Sequence, residues 1–134
     1  MNVERTETLP IRASEDVVRV RQAVRSRAVD AGFSLVDQTK VVTAASEIAR
    51  NTLDYGGGGE VRIDLVQINS RRGVRMVFSD RGPGIADITR ALTDGYTTGN
   101  GLGLGLSGAK RLSSEFEIDS APGKGTTITM TRWK

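Results

Sequence analysis

The sequence predicts a single α/β domain spanning residues 1–134. Three observations predict it. Apolar residues recur at helical spacing over residues 14–32 and 34–56, while stretches rich in β-branched residues lie before and after them. No internal repeat, low-complexity linker or second domain interrupts the chain. Hydrophobic residues make up 37% of it and charged residues 26%, a balance that lets a chain of this length bury its own core and excludes a disordered one.

Val3 to Arg12 alternates in character and ends before Ser14, which predicts a first strand. Ser14, Glu15 and Asp16 then suit a helix start, because a hydroxyl caps free N–H groups and carboxylates oppose the positive end of the helix dipole. Val17, Val20, Val24 and Ala28 keep helical spacing, and Gly32 stops the helix. Ser34 with Asp37 three residues on is a capping-box pattern for a second helix, whose inner stripe is Val41, Ala45, Ile48 and Thr52. Gly56 to Gly59 ends it. Glu60 to Asn69 and Gly73 to Ser79 form a hairpin about Ser70 to Arg72. Beyond a long irregular region come a helix over Gly105 to Ser114 and two strands, Phe116 to Ser120 and Thr126 to Trp133, joined through Pro122 to Gly125.

The chain has no cysteine and no histidine, which removes disulfides, thiolate and imidazole metal ligands, a Ser-His-Asp triad and a phosphohistidine on this chain. No apolar run reaches membrane-span length and Met1 to Ile11 lacks a signal-peptide core, so the expected location is cytoplasmic with no membrane partner. The net charge is +3, and Arg19, Arg21, Arg25 and Arg27 gather on one segment. Aromatic content is only 4% and no nucleic-acid motif is present, so that surface is assigned to an acidic protein partner rather than to nucleic acid.

Residues 99–110 read GNGLGLGLSGAK. Glycine at every other place gives a strand nothing to pack, but it lets backbone N–H groups approach a phosphate. Two phosphate motifs are matched in outline and fail on context. A dinucleotide-binding turn needs a parallel sheet after it, and fewer than 30 residues remain. In a P-loop, Ala109 would stand where the lysine belongs, with Lys110 one place late.

The block SDRGPGI, Ser79 to Ile85, ends an apolar strand on Asp80 and follows it with two glycines flanking a proline. A carboxylate only accepts hydrogen bonds, so it suits the amino group of adenine and repels the carbonyl of guanine. In SEIARNTLD, Glu47, Asn51 and Asp54 fall on one flank of the second helix, beside its apolar stripe. An amide oxygen is a hard ligand for Mg²⁺, and a nearby carboxylate orients or deprotonates a nucleophile.

ExxxN at 47–51, DxGPGI at 80–85, GxGLGLG at 99–105 and GKGTT at 123–127 resemble, in order and spacing, the asparagine box and three glycine boxes of the GHKL ATPase and kinase superfamily. The resemblance implies the Bergerat fold, a two-layer α/β sandwich with a mixed, mostly antiparallel sheet packed on helices, and a short ATP lid over about Ala86 to Asn100. It implies ATP and Mg²⁺ as cofactors. Carried over by position, Glu47 resembles the catalytic carboxylate, Asn51 the Mg²⁺ ligand and Asp54 a residue holding a magnesium-bound water. Asp80 resembles the adenine contact, with Gly82, Gly84 and Ile85 in the turn beneath the base. Gly101, Leu102, Gly103, Leu104 and Gly105 match the phosphate loop, in which leucines anchor and glycine amides face the phosphates. Thr126 and Thr127 match the hydroxyls near adenine, either of them the one in contact. No lysine or arginine lies between Arg90 and Lys110, unlike relatives with a lid arginine, which leaves the γ-phosphate without an assigned side chain.

Within the superfamily the chain has no histidine-bearing dimer domain and no room for the large domains of gyrase-like or Hsp90-like ATPases. The run DGYTTGNGLGLGLSGAKRLSSEFEI most resembles the RsbT-type switch serine/threonine kinases, within a family that also holds the anti-sigma regulatory factors. That implies a kinase of stressosome-type partner switching, with STAS-domain scaffold or antagonist proteins as substrates and a PP2C-type phosphatase as a further partner. The alternative it implies is an anti-sigma factor that sequesters a sigma subunit and has kinase activity toward an anti-anti-sigma factor. A third reading, a nucleotide-gated adaptor without transfer, is opposed by the intact Glu47, Asn51 and Asp80.

Overall fold

The computed structural model describes residues 1–92 and 105–134. Strand β1 (Asn2–Ile11) is followed by helices α1 (Ser14–Asp30) and α2 (Leu35–Asp54), the hairpin β2 (Gly59–Ile68) and β3 (Arg71–Asp80), and the single turn α3 (Ile88–Ala91). Helix α4 (Gly105–Arg111) and the hairpin β4 (Glu115–Ser120) and β5 (Thr126–Trp133) complete the chain. The five strands make one sheet in the order β1-β2-β3-β5-β4, and all four ladders among the described residues are antiparallel. Helices α1 and α2 pack on one face of the sheet, with α4 against α2. This is the two-layer α/β arrangement that the resemblance implies.

The sheet is amphipathic by alternation. Val61, Ile63 and Leu65 of β2 pair with Phe78, Met76 and Val74 of β3, and Ile128 and Met130 of β5 continue that face. All are buried beneath the helices, where Val17, Val20, Val24, Val41, Ala45 and Ile48 meet them. Each such side chain fully buried contributes ~1.5 to 3 kcal/mol by transfer from water. Among the described residues no helix is long and apolar enough to cross a membrane.

Both helix starts show how the caps work. Ser34 caps α2 as its position predicts, its hydroxyl accepting from Asp37 N–H at 3.2 Å. The other half of that box is used differently, because the Asp37 carboxylate accepts from Arg132 of β5 at 2.9 Å. At α1 the N-cap is Ala13 and Ser14 is the first helical residue. Asp16 supplies the cap instead, its Oδ2 accepting from Arg12 N–H at 2.8 Å and Ala13 N–H at 3.1 Å. A carboxylate in the first turn reaches back to two free donors, which a hydroxyl already inside the helix does not. The arginine run on α1 also divides. Arg27 is buried and ties the helix to β1 through Glu7 at 3.3 Å, with Asp30 at 3.0 Å, whereas Arg19 is exposed beside Asp16.

Candidate functional site

Asp80 closes β3, and its carboxylate is held rather than hanging free. Oδ1 accepts from Gly82 N–H at 2.9 Å and from Thr126 N–H at 3.2 Å. Two donors on one oxygen fix the plane of the group, and Oδ2 is left for a further donor. The chain makes room for this at Gly56, the second residue after α2. A Cβ there would overlap the Asp80 carboxylate. Gly82 packs in turn on Gly56, where a Cβ would lie 2.7 Å from the Gly56 Cα. Gly84 has φ +76° and approaches the Ala121 carbonyl so closely that any side chain would collide with it.

Ser120, at the end of β4, stitches this turn to the β4–β5 hairpin. Its hydroxyl accepts from Ile85 N–H at 2.8 Å, donates to the Gly125 carbonyl at 2.9 Å and lies 2.8 Å from the Thr126 hydroxyl. Sequence reasoning passed over both Gly56 and Ser120. A signal for Ser120 was present: Phe116 and Ile118 point inward at alternate positions of β4, and a serine at the next inward position needs internal partners.

These elements enclose a cavity of about 320 Å³. Asp80, Thr126 and Ile128 form its floor, and Pro83, Gly84 and Ile85 one side. Asn51 and Thr52 of α2 and Tyr55 just beyond it form another wall, and Ala91 and Leu106 also line the cavity. A mostly apolar cavity with a few polar side chains is of the kind that takes a small organic ligand. Strand alternation separates the two threonines. Thr126 shares the helix-facing side with Ile128 and lines the cavity, while Thr127 pairs with Ser79 and Asp119 on the other face of the sheet.

Asn51 is half-buried, and its Nδ2 donates to the Glu47 backbone carbonyl at 3.0 Å. Glu47 lies one helical turn earlier, half-buried at the edge of the same flank and outside the cavity lining. Asp54 is exposed near the end of α2, likewise outside the lining. Gly105 opens α4 with φ +51° and is buried. Gly101, Leu102, Gly103 and Leu104 lie outside the described residues, as does the proposed lid beyond Leu92.

Among the described residues no three acidic or imidazole side chains converge on a metal position. Asn51 lines the cavity, and its side chain carries an amide oxygen, a hard ligand type. That suits Mg²⁺, which keeps waters and takes most of its ligands from substrate phosphates.

A family model described as histidine kinase-, DNA gyrase B- and HSP90-like ATPase matches residues 36–134. The chain is 43% identical over 118 residues to the serine/threonine-protein kinase RsbT of Bacillus subtilis, covering 88% of this chain and 89% of that one. It is 27% identical over 117 residues to an anti-sigma F factor of a Thermoanaerobacter species, covering 84% and 82% of the two chains. Among solved structures, the RsbU and RsbW domains of a Mycobacterium tuberculosis protein superpose with a TM-score of 0.67 at 23% identity. That match takes in 97% of this chain and 33% of the other, and it speaks to the fold.

Proposed function

The chain belongs to the histidine kinase-, DNA gyrase B- and HSP90-like ATPases, and from that premise we propose that it is an ATP-dependent protein serine/threonine kinase of a partner-switching pathway. The observation that carries the reading is the cavity, which sets the Asp80 carboxylate at one end and Asn51 on the wall, one turn after Glu47. The 43% identity to a serine/threonine kinase over most of both chains supports the class of acceptor.

In this reading the residues divide the work. Asp80 accepts from the adenine amino group, and the Gly82–Ile85 turn holds the carboxylate and lies under the base. Backbone amides of Gly101 to Gly105 hold the phosphates. The Asn51 amide oxygen and, through water, Asp54 hold Mg²⁺, which neutralises phosphate charge when bound. Glu47 orients the hydroxyl of a partner's serine or threonine and takes its proton. The oxygen so activated bonds to the γ-phosphorus as the bond to ADP breaks, and positioning with charge stabilisation supplies most of the acceleration. The substrates proposed are STAS-domain proteins, with a PP2C-type phosphatase as the partner regulated, in the cytoplasm.

The identity to an anti-sigma F factor favours one alternative, in which the main activity is sequestration of a sigma subunit. Incubation with labelled ATP and a STAS-domain protein, beside a pull-down with an RNA polymerase sigma subunit, separates the two. The kinase reading expects acid-stable phosphoserine or phosphothreonine on the STAS protein and no sigma-subunit complex. A tight sigma-subunit complex establishes the alternative, whether or not a STAS protein is labelled.

A further inference from the structure

Ser120 stands at a junction whose hydrogen-bond directions can be worked out. A hydroxyl offers one proton and two lone pairs. The Ile85 N–H, 2.8 Å away, can only donate, and the Gly125 carbonyl, 2.9 Å away, can only accept. Ile85 therefore takes one lone pair of Ser120 and Gly125 takes its proton. One lone pair remains for the third neighbour, the Thr126 hydroxyl at 2.8 Å, which must donate to it. The other placement, with Ser120 donating to Thr126, leaves serine and carbonyl oxygens facing each other through lone pairs at 2.9 Å.

We infer that Ser120 is a positioning residue for nucleotide choice: it holds the Thr126 proton away from the cavity, so that Thr126 meets the bound base with lone pairs only. Three backbone donors beside Asp80 and Thr126 are committed in the same inward sense. Gly82 N–H and Thr126 N–H both go to Asp80 Oδ1, and Ile85 N–H goes to Ser120. The polar end thus presents a carboxylate oxygen and a hydroxyl oxygen, both acceptors. A purine carrying an amino group at its six position satisfies them. A purine with a carbonyl there brings lone pairs against lone pairs, and no Thr126 proton is free to turn toward it.

The inference rests on the proposal that ATP binds in this cavity, and its test separates the two. Calorimetric titration of ATP and of inosine triphosphate, which has a carbonyl in place of the amino group, is compared in wild type, Ser120→Ala and Ser120→Thr. Ser120→Ala releases the Thr126 proton to rotate into the cavity, so the preference for ATP over inosine triphosphate falls about five- to tenfold, the scale of one hydrogen bond. Ser120→Thr, which keeps the hydroxyl, retains the preference. A purely structural Ser120 weakens both nucleotides in Ser120→Ala by the same factor, and an unchanged ratio overturns the inference. Should Ser120→Ala not fold, Thr126→Val decides with the same two nucleotides. A Thr126 hydroxyl held as an acceptor gives up its share of the preference when removed, so the ratio of ATP to inosine triphosphate affinity falls severalfold, and an unchanged ratio overturns the inference. Wild type that binds no nucleotide overturns the ATP site itself, and this inference with it.

Discussion

At Asp80 the two carboxylate oxygens have separate duties, which makes the amide a well-defined substitution. In Asp80→Asn the side-chain oxygen can still accept from Gly82 and Thr126, so the turn stays in place. An NH₂ donor then replaces Oδ2 and faces the adenine amino group, donor against donor. Losing a charge-assisted hydrogen bond costs ~1.5 to 3 kcal/mol, so ATP affinity should fall roughly 10- to 150-fold with the melting temperature nearly unchanged. Calorimetry on the folded variant checks this, and unchanged affinity removes Asp80 from the site. Asp80 could be singled out from sequence because its neighbours are local: an apolar strand ends on it and a rigid Gly-Pro-Gly turn follows. Gly56 could not. Its reason for being glycine is a carboxylate 24 positions along the chain, and without that contact it is only a helix-ending residue.

Among the elements, α2 carries Glu47 and Asn51, and its first turn is fastened to β5 of the sheet. Arg132 donates to Asp37 at 2.9 Å and to the Leu112 carbonyl at 2.7 Å, joining the start of α2, the end of α4 and β5. The Arg132 hydrogen bond, chiefly, holds the Asp37 carboxyl below its ordinary value of 3.8. A carboxyl lowered in the folded state stabilises fully above that ordinary value and loses its contribution as pH falls through the lowered one. Asp37→Asn should therefore melt below wild type at pH 7, and the gap should close in acid as the pH falls through the lowered value, below which both carry a neutral group. Melts that coincide at pH 7, or a gap that widens in acid, contradict the clamp. At the other end of α2, Asn51→Ala should stay folded and bind ATP without the enhancement that Mg²⁺ gives wild type. An enhancement of wild-type size would move the metal to Asp54. Helical spacing and the Ser34 cap make α2 legible in the sequence, whereas the cap of α1 is not, because Ser14 and Asp16 are both good capping residues and only geometry chooses between them.

For the whole molecule, the elements were readable one by one and their assembly was not. Strand β5 sits between β3 and β4, a non-local pairing that no alternation pattern encodes, and it brings Thr126 beside Asp80. That register also separates Thr126 from Thr127, which sequence alone left equivalent. Glycine spacing points to a phosphate loop in the sequence, but the cavity between α2 and the sheet exists only once the whole fold is assembled. The measurement that tests this account most directly is single-turnover transfer of labelled phosphate from ATP to a STAS-domain protein by wild type and Glu47→Ala, with ATP affinity measured on the same samples. The account predicts ATP affinity within a few-fold of wild type and transfer slower by ~10² to 10⁴-fold, the usual contribution of a general base. Transfer at the wild-type rate by Glu47→Ala would contradict it.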